Sequence, residues 1–299
     1  MKKLVVGLGE VLWDMLPGRK YLGGAPANFA YITNLMGDEG VVASRVGTDA
    51  RGLEATRRME VLGLSVSEVQ RDGSHPTGVV KVEVDERGLA RFEIEQSSAW
   101  DFLEWTAEWH TLAQKTDAVC FGSLAQRSPQ SRETIRRFLR ATRPDAVRVF
   151  DVNLRQPFYG REVLDESMKL ADLVKMNDEE VPKVMELVGL DHADEKSSAQ
   201  RLMEHYGLKL ACVTRGGRGS LLVGRSGCSE GSGISVRVAD TIGAGDAFTA
   251  ALVHNYLRGA SLDQMNHAAN LVGAWVASQA GPTPTPKDGE LGHSLADIA

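Results

Sequence analysis

The sequence predicts an α/β protein with a doubly wound, mostly parallel sheet that is flanked by helices and carries a small β lid. Three observations lead to this prediction. Short apolar segments of strand length alternate with amphipathic segments of helix length along most of the 299 residues, the pattern of a parallel sheet covered on both faces. One segment with period-two alternation interrupts that pattern. Glycine-containing loops lead into two helices, a common place for ligands.

The predicted strands are short and mostly apolar, as expected of strands buried on both faces. They cover residues 4–8, 41–46, 118–121, 147–152, 173–176 and 210–213. Helical patterns cover residues 26–36, 52–62, 129–142, 161–170, 178–188 and 196–206. No repeat or low-complexity linker divides the chain, so we expect a single domain over residues 1–299.

Residues 77–96 are predicted to form a hairpin that contributes to the lid. Apolar positions alternate with charged ones on both sides of a turn at Asp85-Glu86-Arg87-Gly88. Because the second face is charged, this hairpin does not fit inside a buried parallel sheet. We expect its apolar face to cover a ligand cleft, a second copy of the chain, or both. That face consists of Val80, Val82, Val84, Phe92 and Ile94.

Composition and charge exclude several classes of protein. A net charge of −6, a pI near 5.7 and the lack of a dense basic cluster argue against a nucleic-acid surface. No apolar run reaches membrane-spanning length and no signal segment is recognisable, so we expect a cytoplasmic protein without a membrane partner. Cys120 and Cys212 lie in apolar runs and are expected to be buried thiols. Trp100, Trp105 and Trp109 are expected to pack in the core or an interface.

The segment Asp240-Thr241-Ile242-Gly243-Ala244-Gly245-Asp246 is the most informative part of the chain. It leads into a helical pattern that ends at Gly259, and a helix N-terminus with unpaired N–H groups binds anions. An aspartate at this position repels the anion that the helix N-terminus attracts. Its presence is explained if Asp246 accepts a proton from a nucleophile while the N–H groups stabilise the charge that develops on the group under attack. The alternative is that Asp246 only caps the helix.

Other polar motifs follow predicted strands. Gly23-Gly24-Ala25-Pro26-Ala27-Asn28 precedes a helix and suits a small polar ligand, with Asp14 near it, although a glycine pair is also a common turn. Asn177 and Glu180 lie on one side of a helical turn, where they hold hydrated Mg²⁺ or cap the helix. Thr214-Arg215-Gly216-Gly217-Arg218-Gly219 frees N–H groups for a phosphate or ribose. Asn153 and Arg155 suit a polar or anionic group.

Three nucleotide-binding signatures do not match. Gly7-Leu8-Gly9 begins like a dinucleotide fingerprint, but Leu12 occupies the third glycine position. Neither a Walker-type loop nor the protein-kinase set occurs. Phosphoryl transfer would therefore need another phosphate cradle.

Together, the Gly-Gly-Ala-Pro-Ala-Asn, Asn-x-x-Glu, Thr-Arg-Gly-Gly-x-Gly and Asp-Thr-Ile-Gly-Ala-Gly-Asp segments resemble the ribokinase-like (PfkB) carbohydrate kinase family in order and spacing. The resemblance implies a doubly wound domain with a β lid, and transfer of the γ-phosphoryl group of ATP to a sugar hydroxyl. It implies that Asp246 is the catalytic base. It also implies an anion hole formed by the N–H groups of Gly243, Ala244 and Gly245.

The resemblance assigns the remaining residues to three ligands. Asn177 and Glu180 organise Mg²⁺ and phosphates, Glu180 through water, beside an ATP site. The ATP site is implied at Thr214, Gly216, Gly219 and, for the nucleobase, Asn270. The sugar site is implied at Asp14, Gly23, Gly24 and Asn28, with Asn153 and Arg155 close by. A monovalent-cation loop is implied at Asp240, the Ile242 carbonyl and Gly281. Relatives often carry Arg or Lys before that glycine whereas this chain has Gln279-Ala280, so K⁺ is left open as a cofactor.

Within the family, the segments at 9–14, 150–155 and 175–177 look most like the fructokinase branch. A 2-keto-3-deoxygluconate kinase is the alternative, because it also uses an arginine in this region, for a carboxylate; another sugar or nucleoside kinase of the family fits less well. A non-catalytic sugar-binding relative is disfavoured because such a protein has no need of the base. We also predict a homodimer through the lid, since its apolar face is larger than a sugar covers.

Overall fold

The computed structural model describes residues 1–16, 18–84, 90–155 and 157–286, with the backbone alone at 82–84 and 90–92. The strands of its main sheet are β1 (Leu4–Leu8), β4 (Glu39–Gly47), β5 (Val69–Asp72), β8 (Ala118–Gly122), β9 (Val147–Asp151), β10 (Leu173–Asn177), β11 (Leu210–Thr214), β12 (Gly219–Gly224) and β13 (Gly227–Ser232). Across the described residues they lie in the order β13-β12-β11-β10-β9-β8-β1-β4-β5. In this order, every neighbouring pair between β11 and β5 is parallel, and β12 and β13 form an antiparallel edge next to β11.

Helices cover both faces of this sheet. They are α1 (Ala25–Leu35), α2 (Ala50–Val61), α3 (Ala107–Lys115), α4 (Pro129–Ala141), α5 (Arg161–Leu170), α6 (Glu180–Val188), α7 (Glu195–Tyr206), α8 (Ala244–Tyr256) and α9 (Leu262–Ala277). Buried side chains from α1, α2, α8 and α9 form one apolar cluster with the sheet, and those from α3 to α7 form the other. The predicted doubly wound α/β class is confirmed, because the apolar strands need cover on both faces.

A second, smaller sheet lies apart from the main one. Its strands are β2 (Leu12–Leu16), β3 (Arg19–Gly23), β6 (Gly78–Val84) and β7 (Ala90–Ile94), in the order β3-β2-β6-β7. The predicted hairpin is therefore present as β6 and β7, with Val80 opposite Ile94. The sequence prediction missed β2 and β3, which complete this sheet. The predicted turn at 85–88 and the side chains of Val82, Val84 and Phe92 lie outside the described residues.

Two smaller predictions, on the tryptophans and on two of the cysteines, are also confirmed. Trp100 and Trp109 are fully buried in the core, with Trp105 packed against it. Cys120 and Cys212 are buried free thiols, and Cys228 is an exposed one. No helix in the described part of the chain has both the length and the apolar character needed to cross a membrane.

Candidate active site

A cavity of about 560 Å³ opens between the small sheet and the carboxyl ends of β1, β9 and β10. The first turns of α1 and α8 complete its wall. Ligands in doubly wound sheets bind at this edge because helix N-termini and polar loop residues converge there. The lining residues are Glu10, Leu12, Asp14, Gly24, Ala25, Asn28, Val80, Ile94, Leu124, Asn153, Leu154, Arg155, Lys175, Thr241, Ile242, Gly243, Gly245 and Asp246.

The start of α8 has the features of an anion site. Gly243 is its N-cap and adopts φ +79°, a left-handed conformation that favours glycine. The first helical hydrogen bond runs from the Ala247 N–H to the Gly243 carbonyl at 2.9 Å. Within the described residues, the N–H groups of Gly245 and Asp246 therefore have no acceptor. The Ala244 N–H is partly used, since it lies 3.3 Å from the Thr241 carbonyl oxygen.

The Asp246 carboxylate faces the cavity from this first turn. The side-chain amide of Asn28 donates a hydrogen bond to its Oδ2 at 2.8 Å. Burial, followed by the nearby charge of Asp151, raises the pKa of Asp246 to about 6, while the Asn28 hydrogen bond and the charge of Lys175 oppose that shift. A carboxylate of this pKa is ionised at neutral pH and basic enough to take a proton in a transition state.

The first turn of α1 supplies a complementary group. Gly24 is the N-cap of α1 at φ +103°, and a Cβ atom there would lie 2.3 Å from the Glu10 carbonyl oxygen, so only glycine fits this close approach. Asn28 is 3% exposed, and its Oδ1 has no hydrogen-bond partner in the described part of the chain. That oxygen is therefore free to accept a hydrogen bond from a ligand hydroxyl beside Asp246.

Further carboxylates line the cavity on the side of the small sheet. Burial raises the pKa of Asp14 to about 6 and that of Glu10 to about 7, whereas the charge of Arg155 lowers both. Gly23 lies behind Asp14, close enough that a Cβ atom would meet its Oδ2 at 2.1 Å. Glu10 was missed as a site residue from the sequence. Its position directly after β1, at the carboxyl edge of the sheet, was the signal that would have identified it.

Asn177 and Glu180 form a reciprocal cap at the start of α6. Each side chain accepts the backbone N–H of the other residue at 2.8 Å, and Glu180 Oε1 also accepts the Leu154 N–H at 2.7 Å. Both Glu180 oxygens are thus engaged, so these residues fit Mg²⁺ through water rather than by direct coordination. Among the described residues, no group of three or more His, Cys, Asp or Glu side chains is arranged to hold a metal ion.

The predicted nucleotide residues lie outside the cavity lining, further along the same edge of the sheet. Thr214 ends β11 beside Asn177 in register, and Gly216 begins the short turn that leads to Gly219. The Asn270 amide nitrogen contacts Ser220 Oγ at 2.7 Å and Asn266 Oδ1 at 2.8 Å. Asn270 is therefore held in place by neighbouring side chains.

The predicted cation loop lies beneath the start of α8. Asp240 Oδ1 accepts the Ile242 N–H at 3.0 Å, and Asp240 Oδ2 is buried without a hydrogen-bond partner among the described residues. The C-terminal end of α9 contacts this loop, because the Ala277 carbonyl accepts the N–H groups of Ala239 and Asp240. Gly281 packs on the ring of Tyr21. An unpaired buried carboxylate oxygen suits a cation.

One buried ion pair in this region was not anticipated. Lys175 Nζ, from the middle of β10, lies 3.1 Å from both carboxylate oxygens of Asp151, the last residue of β9. The sequence placed both residues at strand ends but gave no reason to pair them, because strand order is a tertiary property.

A doubly wound sheet whose edge cavity is lined by a carboxylate and by free N–H groups at a helix N-terminus has the architecture expected of a small-molecule kinase. The chain belongs to the pfkB family of carbohydrate kinases, whose family model matches residues 12–288, and it is accordingly a phosphotransferase.

Known proteins of this kind are similar over most of the chain. An uncharacterised sugar kinase of Pyrococcus horikoshii is 28% identical over 307 residues, covering 96% of this chain and 94% of the relative. Its crystal structure in complex with ATP matches with a TM-score of 0.82 at 27% identity, covering 99% and 100% of the two chains. A fructokinase of Escherichia coli is 31% identical over 266 residues, covering 82% of each protein.

Proposed function

We propose that this carbohydrate kinase transfers the γ-phosphoryl group of ATP to a hydroxyl group of a neutral sugar, fructose, with Asp246 as the general base. The observation that carries the proposal is the position of Asp246, in the first turn of α8 beside free N–H groups and facing the cavity. The ATP complex of the Pyrococcus horikoshii relative supports the choice of phosphoryl donor.

In the proposed mechanism, the sugar hydroxyl lies between Asp246 and the free Oδ1 of Asn28. Asp246 accepts the hydroxyl proton as the oxygen attacks the γ-phosphorus, and the bond from that phosphorus to the leaving oxygen of ADP breaks. The N–H groups at the start of α8 stabilise charge on the transferring group, which is the main catalytic requirement in phosphoryl transfer. Asn177 and Glu180 would hold Mg²⁺ through water, and the ion would supply further neutralisation of the phosphates. Thr214, Gly216, Gly219 and Asn270 would bind the nucleotide.

The test of the base is the substitution Asp246→Asn in a coupled assay of ADP release. We expect kcat to fall by about 10²–10⁴-fold with little change in sugar binding. Asp263→Asn is the matched control, because Asp263 also lies in the first turn of a helix, α9, but contacts Ser229 rather than the cavity. Equal turnover by Asp246→Asn and wild type would refute the assignment.

The charges around the cavity favour a neutral sugar over a sugar acid. Glu10, Asp14 and Asp246 contribute carboxylates, and the charge of the lining residue Lys175 is paired with Asp151. Arg155 is exposed and already interacts with all three cavity carboxylates. The carboxylate of 2-keto-3-deoxygluconate would meet more negative than positive charge there. Similarity to the fructokinase of Escherichia coli also supports fructose.

A sugar panel separates these candidates. We expect the highest kcat/KM with fructose among fructose, ribose, a nucleoside and 2-keto-3-deoxygluconate. A preference for the sugar acid would reverse the choice, and sugar binding without ADP release on any substrate would indicate a non-catalytic protein.

We further propose that the small sheet acts as a lid over the sugar and that Asp240, the Ile242 carbonyl and Gly281 hold K⁺. The buried, unpaired Asp240 Oδ2 supports the cation site. Replacing K⁺ with tetramethylammonium should lower kcat in wild type and have no effect in Asp240→Asn. Equal wild-type rates in the two salts would exclude the site.

The proposed homodimer through the small sheet has less support in the single chain. Val80 is 6% exposed and lines the cavity with Ile94, so these two residues already have a role. Sedimentation at micromolar concentrations is the test, and a monomer at all concentrations would rule the dimer out.

A further inference from the structure

Two charged side chains are buried beneath the start of α8, on the face of the main sheet that α8 covers. Asp151 and Lys175 are register partners in β9 and β10, and their side chains are 5% and 9% exposed. Burial of an ion pair removes hydration that the mutual attraction barely offsets, and apolar residues of similar volume often serve stability as well. Stability alone therefore does not account for charge at this position.

Both members of the pair are directed towards the first turn of α8. A Cβ atom added to Gly245 would lie 3.1 Å from Lys175 Nζ, and Lys175 lines the cavity together with Asp246. Thr249 Oγ1 lies 3.1 Å from Asp151 Oδ2 and 2.9 Å from the Gly245 carbonyl oxygen. The ammonium group is thus held against the segment that carries both Asp246 and the free N–H groups.

The charge balance around Asp246 comes from several elements. Negative groups face it from the small-sheet side and from the main sheet, whereas positive charge comes from β10 and from the loop after β9. Asn28 in α1 donates to it, and the thiol of Cys120 in β8 is close by. The titratable or charged groups that interact with this carboxylate are Glu10, Asp14, Cys120, Asp151, Arg155 and Lys175.

We propose that Lys175, held in place by Asp151, is a positioning residue that keeps the Asp246 carboxylate ionised at the head of α8. The proposal rests on the proposed role of Asp246 as the base. Without the ammonium group, Asp246 would face an additional unpaired carboxylate at Asp151. Without the Asp151 charge, the ammonium group would act on Asp246 alone. The two single substitutions therefore have opposite electrostatic effects on the same group.

The experiment compares pH profiles of kcat/KM for the sugar at saturating ATP in Lys175→Met and Asp151→Asn. Activity requires ionised Asp246, so a higher pKa moves the acid limb to higher pH and a lower pKa moves it to lower pH. We expect Lys175→Met to shift the limb upward by about one pH unit and Asp151→Asn to shift it downward. The double variant, which buries no unpaired member of the pair, should lie between them.

Asp172→Asn is the matched control. Asp172 directly precedes β10, and it pairs with Arg148 of β9 at 2.9 Å and with Lys209, directly before β11, at 3.0 Å. It should lower stability without moving the acid limb. Shifts of the two test variants in the same direction, or limbs that coincide with wild type, would overturn the proposal. If Lys175→Met does not fold, the profiles of Asp151→Asn and the double variant decide in the same way.

The result also separates this inference from the proposed function. If Asp246→Asn retains full activity, the base assignment fails. If Asp246→Asn is inactive and the acid limb of the pair variants does not move, only the role of Lys175 fails.

Discussion

The substitution Gly243→Ala tests whether the geometry of the loop before α8 controls catalysis. Gly243 has φ +79°, and a Cβ atom there would lie 2.6 Å from Pro282 Cβ and 2.8 Å from Pro282 Cα. Carbon atoms in contact are normally separated by about 3.5–4.0 Å. Either the loop or the chain at Pro282 must therefore move by about 1 Å.

The size of the effect follows from that displacement. The left-handed backbone itself costs an alanine about 1–2 kcal/mol of folding free energy. A shift of about 1 Å in groups that position a transferring phosphoryl group costs roughly 10²-fold in rate. We therefore expect Gly243→Ala to lose about 10²-fold in kcat, in addition to a modest loss of stability.

Gly259→Ala separates the two effects. Gly259 follows the other end of α8 at φ +71°, and no atom lies within 4 Å of its added Cβ. It should show the same backbone strain in thermal unfolding and wild-type kcat in the coupled assay. A 1 Å displacement should lower kcat by about 10²-fold. If kcat of Gly243→Ala is instead within about threefold of that of Gly259→Ala, the reasoning about the anion hole is wrong.

Three further predictions concern pH and stability. With the pKa of Asp246 near 6, kcat/KM should fall about tenfold per unit below pH 6 and level off above pH 7, and a profile that rises towards acid would contradict the base. Asp38 accepts hydrogen bonds from His254, Arg258 and the Lys3 N–H, which hold its pKa well below the usual range. Asp38→Asn should lower the free energy of unfolding at pH 7, measured by urea unfolding, by about 2–3 kcal/mol. Ionised Asp38 contributes its full stabilisation only above the pKa of about 3.9 that an aspartate has in the unfolded chain. The difference in unfolding free energy between wild type and Asp38→Asn should therefore shrink as pH falls below about 4. A difference that does not change with pH would show that the ionised carboxylate is not its source. Arg127 binds Asp101 through two nitrogens at 2.7 Å, donates to the Glu95 carbonyl and stacks on Trp100. Arg127→Lys should therefore lower the free energy of unfolding by about 2 kcal/mol, because lysine cannot form the paired hydrogen bonds of the guanidinium group. Unchanged stability would show that these paired hydrogen bonds are dispensable.

Local patterns predicted most strands of the main sheet and most helices, because apolar runs and helical periodicity record burial directly, but they did not predict β5 and β13 at the two edges of that sheet. They were insufficient for β2 and β3. Strand β2 mixes Trp13 and Leu16 with Asp14, and β3 begins with Arg19 and Lys20, so neither is a clean apolar or alternating run. Their pairing with β6 becomes evident only when the chain folds.

The sequence by itself determined the fold class, the family and the loop that carries Asp246, since spacing within a short segment survives in any tertiary arrangement. Only the tertiary structure brought Asn28 within 2.8 Å of Asp246 and Lys175 against Asp151 beneath it. These contacts join residues far apart in the chain, and a carboxylate's pKa depends on burial and neighbouring charges. The chemistry of Asp246 is therefore encoded locally, and its proton affinity is set by the fold.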